Sequence, residues 1–474
     1  MTRRSATLVL IALGAFVTTL DNTIVAAGAP SIARDLALDL GTLQWVALGY
    51  MLPFAGLLLV AGTLVDRWGR RATLLAGLLA FGAGAAAGGL ADAVWLLVAA
   101  RVLQGMAAAF LVPGLLSLLR SNLDARGRTL GAAVWTACLA AALALGPALG
   151  GVLSEYLGWG WIFFVNLPFV AAMLVLLPVT VPPRRTDAPL SRESGASVPL
   201  GGGAMILATA SVVLLTAALV ESRAGVALPL LVAGAALGAG FVVRERRARE
   251  RLVPAALTGN RVFVGSLVVQ VLWGLGISGV FFFTPLLHQE FLGLDPVGAG
   301  LPLALVAVAV MAATPLVPVA VARAGPQRTV AAGLAVVGAG LLALAAVNHL
   351  PAIAPRVPGL VLIGAGSAFT TPLTSHALDV VAERHSGTAS GLLTASREVS
   401  SALGVALIGA VLTAVRALRL DAGATPGPAF AGGYTAGLLT AAGLTLTGAL
   451  LAAVCGVRAR SGATSLPRDK RAVP

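Results

Sequence analysis

The sequence predicts an all-α membrane protein: fourteen transmembrane helices, arranged as two related six-helix bundles with two further helices inserted between them. Three observations carry this prediction. Of the 474 residues, 58% are hydrophobic and 11% charged, whereas soluble domains carry about 25% charged residues. The apolar residues gather in runs long enough to cross a bilayer core as helix, about 20 residues each. The basic residues cluster in alternate loops between those runs.

The first run, 6–29, follows Arg3 and Arg4 and ends in the small residues Ala27, Gly28 and Ala29. It resembles a secretory signal but exceeds the roughly 7–15 residues of a signal core, so it is expected to remain as the first span. Runs 43–64, 72–90, 94–118, 129–153 and 162–181 complete the first set of six. A middle pair follows at 201–220 and 227–243, the second of them short. The second set is 262–287, 297–320, 329–347, 357–377, 388–413 and 434–457. The expected units are therefore an N-terminal bundle (1–181), a linker with the inserted pair (182–261), a C-terminal bundle (262–457) and a tail (458–474).

Most of the 32 basic residues fall on the side of the N-terminus. Only Arg34, Arg223, Arg356, Arg416 and Arg419 fall in loops on the other side. Cytoplasmic loops carry this excess of Lys and Arg, so both termini are expected in the cytoplasm and the protein in the cell membrane. The net charge of +13 would also suit a nucleic-acid binder. No basic stripe is interleaved with aromatic residues, so no nucleic-acid partner is expected. Cys138 and Cys455 lie in apolar runs without metal-ligand spacing. His288, His349, His376 and His385 lie in loops or toward span ends and point to no particular chemistry.

An internal repeat supports the two-bundle arrangement. After the second span, Arg67 and Gly69 recur as Arg323 and Gly325 after the tenth, at an offset of 256. Gly131 and Gly150 of the fifth span correspond loosely to Gly391 and Gly409 of the thirteenth, at offsets near 258–260. Transporter folds are often built from such repeats, with substrate held where the halves meet.

The ionisable residues well inside spans are Asp21, Arg101, Arg397 and Glu398. A charge at the bilayer centre costs at least about 2.5–3.5 kcal/mol on insertion scales, so such residues face a cavity or a partner. Asp21 lies about 12 Å and Arg101 about 10 Å from the same membrane surface, at 1.5 Å per residue. They can meet if spans 1 and 4 share a cavity. Burial favours the neutral acid and a nearby Arg favours the carboxylate, a balance suited to taking up and releasing protons. A static ion pair that orders the helices is the alternative. Arg397 and Glu398 are neighbours, about 100° apart around a helix, and are not expected to face each other. Arg397 is expected to face the cavity, with Glu398 as a second candidate carboxylate.

Two further motifs stand out. Gly146 and Gly150 share a helix face and permit close approach, while Pro147 removes a backbone donor and bends the helix. With Gly151 they would form a bent, closely packed segment able to lock one end of a cavity, or simply pack as membrane helices do. The loop after span 2 holds Gly62, Asp66, Arg67, Gly69, Arg70 and Arg71. Asp66 suits the N-terminus of span 3. The arginines suit either a latch onto the other half or plain anchoring at the membrane surface.

Together these residues resemble the fourteen-span drug:proton antiporter branch of the major facilitator superfamily. Gly62, Asp66, Arg67, Gly69, Arg70 and Arg71 match its loop 2–3 signature, and Arg101, Gln104 and Gly105 its span 4 signature. Gly146, Pro147, Gly150 and Gly151 resemble its antiporter motif in span 5. Leu20, Asp21, Thr23, Ile24, Val25 and Pro30 resemble the span 1 motif of this branch. Gln44, Trp45, Trp161, Ile162, Phe163, Asn166 and Pro168 fit the same branch. Ala26 and Gly160 depart from it, standing where the branch usually carries an Asn and a basic residue. The resemblance implies the major facilitator fold and proton-driven efflux of hydrophobic or amphipathic small molecules by alternating access. It implies Asp21 and Arg101 in proton coupling and the loop motif in gating.

The expected partners are thus a small-molecule substrate, protons and the bilayer, with the proton gradient in place of any cofactor or metal. A monomer is expected. Uptake or exchange of a small metabolite is a second reading, which the span 5 motif argues against. A membrane-embedded lipid-modifying enzyme is a third, but no His/Asp/Ser constellation supports one. No nucleotide-binding P-loop is present to supply ATP as an energy source.

Overall fold

A computed structural model describes residues 2–181, 202–221, 223–248, 253–382 and 385–463. All regular structure among them is helical. The first bundle contains α1 (Arg3–Asp35), α2 (Leu40–Trp68), α3 (Arg70–Gly89), α4 (Val94–Asn122), α5 (Ala125–Tyr156), α6 (Trp161–Phe164) and α7 (Asn166–Thr180). The inserted pair is α8 (Gly202–Val220) and α9 (Ala224–Arg247), followed by the short α10 (Ala255–Thr258). The second bundle contains α11 (Arg261–Glu290), α12 (Pro296–Ala313), α13 (Val317–Ala324), α14 (Pro326–Val347), α15 (Val357–Ala368), α16 (Pro372–Asp379), α17 (Ser386–Asp421) and α18 (Pro426–Ala463).

These helices make 14 crossings long and apolar enough to span a bilayer, the number the sequence predicts. The pairs α6–α7, α12–α13 and α15–α16 each form one crossing with an interruption. An even number of crossings returns the end of α18 to the face that carries Arg3, called the near face. The loop at residues 36–39 lies on the far face.

Capping explains where several crossings begin. Thr2 accepts from the amide of Ser5, Asp124 from Gly127, Asn260 from Val262 and Phe263, and Asp295 from Gly298. Such caps satisfy otherwise orphaned amides and contribute about 1 kcal/mol each. Helix α9 runs past the expected 227–243. Arg244, Arg246 and Arg247 occupy its last turn, where cations suit the free carbonyls of a helix end.

The internal repeat has a backbone counterpart. Gly69 (φ 83°, ψ 145°) and Gly325 (φ 85°, ψ 161°) both stand immediately before a helix, α3 and α14 respectively. This left-handed region is one that glycine enters without steric cost. The same turn therefore sits at the same place in each half.

Within the first half α1 packs on α5, and α4 packs on α2 and α3; within the second, α18 packs on α11 and α14, and α12 on α15. The halves meet along two main seams, α5 against α12 and α2 against α17, with a smaller contact of α1 on α11 and α12. Helix α8 lies on α2 and α17 and so covers the second seam. Helix α9 packs on α8, where Ser211 of α8 donates to the carbonyl of Gly234 at 2.7 Å.

Candidate functional site

The first half holds a sealed polar network at the level of Asp21. Asp21, Arg101, Gln104 and Asn166 are each 0% exposed. Nη1 of Arg101 donates to Oδ2 of Asp21 at 2.5 Å and to Oε1 of Gln104 at 3.0 Å. Oδ1 of Asp21 accepts from Nε2 of Gln104 at 2.9 Å and from Nδ2 of Asn166 at 2.8 Å. Nε of Arg101 donates to the carbonyl of Val46 at 3.0 Å. The structure thus brings Asp21 and Arg101 into direct contact and adds two amides around them.

Aromatic rings close the network. The Arg101 guanidinium lies 4.5 Å from the ring centre of Tyr50 and 5.9 Å from that of Phe163. Such cation–π contacts stabilise a desolvated guanidinium by about 2 kcal/mol. The Tyr50 hydroxyl donates to the carbonyl of Thr18 at 3.2 Å, tying α2 to α1 beside the ion pair. Gly105 allows this arrangement, because any Cβ there would run into the Tyr50 carbonyl.

The second half contributes Glu398, and one expectation is corrected. Arg397 and Glu398 do form an ion pair, Nη2 to Oε1 at 3.0 Å and Nε to Oε1 at 3.2 Å. Their Cβ directions diverge, but the long Arg side chain folds back along the helix surface. The Arg397 side chain is 48% exposed and that of Glu398 11% exposed. The buried member is the carboxylate. It lies within electrostatic range of the Tyr50 hydroxyl, as Asp21 and Arg101 do. A carboxylate of one half therefore lies near the network of the other, on the far side of the α2–α17 seam, with no hydrogen bond to it among the described residues.

The antiporter motif residues build the other seam. Gly146 packs against Thr23 of α1, and a Cβ at Gly150 would lie 2.5 Å from the Ile24 carbonyl. Thr23 donates to the Ala142 carbonyl at 3.3 Å. On the next face of α5, a Cβ at Gly151 would lie 2.6 Å from the carbonyl of Pro296, and one at Gly300 would lie 2.5 Å from the carbonyl of Pro147. Backbones of the two halves thus touch at the far face. Gln44 of α2 presses on Gly409 of α17 in the same way at the second seam.

Toward the near face the first seam opens. Five helical turns take 18 residues, so Arg128, Thr129, Ala132 and Ala133 share faces with Gly146, Pro147, Gly150 and Gly151. The latter four are buried, whereas the former four are exposed. On the facing segment Thr314, Pro315 and Pro318 are exposed too. Along this seam the halves are joined at the far face and apart at the near face.

The gating-loop residues divide. Gly62, Asp66 and Arg67 lie in the last turns of α2, Asp66 four residues before α3, where Gly69 is the capping residue. The side chains of residues 62–68 lie outside the described ones. Arg70 is exposed, and Nη1 of Arg71 is buried without a partner. Neither makes a latch to the second half among the described residues.

Sequence reasoning missed the roles of Asn166 and Gln104 as partners of Asp21. Their signal was an uncharged polar residue inside an apolar run. It also placed Arg356 in a loop, whereas Arg356 is 1% exposed. Its guanidinium donates to the carbonyls of Asn348, Leu350 and Ala352 and pins that loop to the start of α15. Among the described residues no group of His, Cys, Asp and Glu could hold a metal ion.

Comparisons with known proteins agree with this architecture. The family model of the Major Facilitator Superfamily matches residues 11–405. The chain is 34% identical over 463 residues to a puromycin resistance protein of Streptomyces alboniger, covering 93% of this chain and 88% of that one. It is 31% identical over 411 residues to a tetracenomycin C resistance and export protein of Streptomyces glaucescens, covering 86% and 75%. It is 32% identical over 429 residues to the multidrug efflux pump LfrA of Mycolicibacterium smegmatis, covering 90% and 84%. Among solved structures, an auto-inhibited peptide transporter of the POT family superposes with a TM-score of 0.70 at 18% identity, covering 99% of each chain. A D-xylose–proton symporter superposes with a TM-score of 0.65 at 14% identity, covering 94% and 96%. These two likenesses concern the fold alone. With its fourteen crossings, its repeated half and its match over most of its length, this chain belongs to the major facilitator superfamily.

Proposed function

We propose that this protein is a proton-coupled exporter of hydrophobic or amphipathic small molecules. It acts in the plasma membrane by alternating access, with the near face and both termini in the cytoplasm. The excess of basic residues on the near face supports that orientation. The relatives named for antibiotic resistance, export and multidrug efflux support the direction of transport and the substrate class. The parted near ends of α5 and α12–α13 support a conformation that receives substrate from the cytoplasm. The proton gradient is the energy source, and the protein carries out no covalent chemistry.

The observation that carries this reading is the sealed Asp21–Arg101 pair. With both charges present each carboxylate oxygen of Asp21 is hydrogen-bonded. A proton on Asp21 leaves Arg101 as an uncompensated buried cation, and such a loss costs about 3–5 kcal/mol. That cost is relieved by moving α1 against α4, which lies at the heart of the first half. Proton uptake is thereby linked to the rocking of the halves. Glu398, across the α2–α17 seam, is positioned to take part in the same cycle.

The test is export from proteoliposomes under an imposed proton gradient. The compounds are those for which the relatives are named, together with lipophilic cationic dyes. Wild-type protein transports at least one of them in exchange for protons. Asp21→Asn loses gradient-driven transport by at least about tenfold. Wild-type rates in that variant rule out Asp21 as the coupling group.

A further inference from the structure

Asn166 opens α7, interrupted from α6 at Val165. Its Nδ2 donates to Oδ1 of Asp21 at 2.8 Å and to the carbonyl of Phe163 at 3.2 Å. Two acceptors on one side fix which end of the amide is nitrogen. Its Oδ1 is buried and has no partner. Gln104 differs, because it is held at both ends: Nε2 donates to Asp21 and Oε1 accepts from Arg101. Arg101 itself can only donate.

A proton arriving on Oδ1 of Asp21 turns an acceptor into a donor. The new O–H faces two N–H groups and needs an oxygen. Gln104 cannot supply one without breaking its bond to Arg101. Asn166 can, because a half-turn of its amide carries the unpartnered Oδ1 to the place of Nδ2. We propose that Asn166 is a positioning residue that reads the proton on Asp21, donating to the carboxylate and accepting from the acid. This inference rests on the proposal that Asp21 takes up the coupling proton.

The step balances. One O–H bond forms on Asp21 and donates to Oδ1 of Asn166. The proton leaves a hydronium ion of the aqueous phase, whose O–H bond breaks, and the hydrogen bonds from Nδ2 to Asp21 and to Phe163 break. The Phe163 carbonyl keeps the amide of Val165 as a donor. It borders the interruption at Val165, and Pro168 offers no N–H to the Phe164 carbonyl. The amide turn therefore passes the state of α1 to the α6–α7 crossing. The charged and titratable groups around Asp21 are Arg101 of α4 and Tyr50 of α2, with Glu398 of α17 acting on Tyr50.

Infrared difference spectra of the reconstituted full chain test this on acidification. Wild-type protein should gain a carboxylic-acid C=O band together with a shifted side-chain amide C=O band, identified by isotope-labelled asparagine. Asn166→Leu should lose the amide band and move the acid band to the frequency of an acid without an acceptor. Asn166→Asp keeps the shape of the side chain and guards against misfolding. It should raise the pH of half-maximal export by at least about one unit, as two carboxylates share one proton. Wild-type spectra in Asn166→Leu, or a wild-type pH profile in Asn166→Asp, overturn the inference. If the acid band survives in Asp21→Asn, the proton resides elsewhere, and the coupling proposal fails together with this one.

Discussion

The guanidinium of Arg101 meets the carboxylate of Asp21 at 2.5 Å with neither side chain exposed to solvent. Arg101 uses its fork in separate directions, Nη1 toward Asp21 and Gln104, Nε toward the Val46 carbonyl. A lysine has one nitrogen and cannot reproduce that geometry. Arg101→Lys should fold but lose gradient-driven export by at least about tenfold. Arg101→Ala leaves Asp21 as an unpaired buried acid, and should lower stability by about 3–5 kcal/mol. Thermal unfolding in detergent and export from proteoliposomes separate the two effects.

The far seam makes a second prediction. Gly151 faces backbone atoms of Pro296 and Val297, and backbone cannot move aside as a flexible side chain can. Gly151→Leu should therefore prevent the halves from meeting at the far face. Export should fall at least about tenfold, and a cysteine placed at Ser154, 9% exposed, should become reactive to a membrane-impermeant thiol reagent. Gly225→Leu is the control, because nothing lies within 4 Å of a Cβ there. It should leave both measurements unchanged.

Outside the membrane, Asp39 offers a pH-dependent contribution. Its Oδ1 accepts from the amide of Thr42 at 2.8 Å at the start of α2. The Thr42 side chain and backbone hold its carboxyl below the usual carboxylate value, against weak opposition from burial. A depressed folded value means stabilisation that is full above the unfolded value of about 3.9 and is lost as pH falls through the folded one. Asp39→Ala should cost about 0.5–1 kcal/mol at neutral pH, little because the group is largely exposed. At pH 3 the melting temperatures of variant and wild type should have drawn closer, which a melting series at the two pH values checks.

The crossings were legible because the bilayer imposes length and hydropathy on each of them, and because loop charge alternates. The repeat was legible at Gly69 and Gly325, since a left-handed turn demands glycine in both halves. Asp21 and Arg101 were legible as the costliest residues at one depth. Asn166 was not linked to them because it is a neutral side chain, and only packing shows that α7 brings it to α1. Adjacency misled at Arg397 and Glu398, where side-chain length mattered more than the angle between Cβ atoms. Arg356 misled in another way: loop carbonyls take both of its terminal nitrogens, and its burial leaves no mark in hydropathy.

The last prediction concerns Tyr50 and Glu398, which belong to different halves and to the two helices that form the α2–α17 seam. If they act independently, the losses in export from Tyr50→Phe and Glu398→Gln multiply in the double variant. If they form one network across the α2–α17 seam, the double variant should be little worse than the poorer single one. Residues sharing a network typically show coupling of about 0.5–3 kcal/mol. The four proteins are compared in one proteoliposome assay under the same gradient. Arg397→Gln serves as a further comparison, since it removes the ion-pair partner of Glu398 and leaves the carboxylate in place. Strict multiplication of the two losses would place Glu398 outside the Asp21 network and leave the second half without a part in proton binding there.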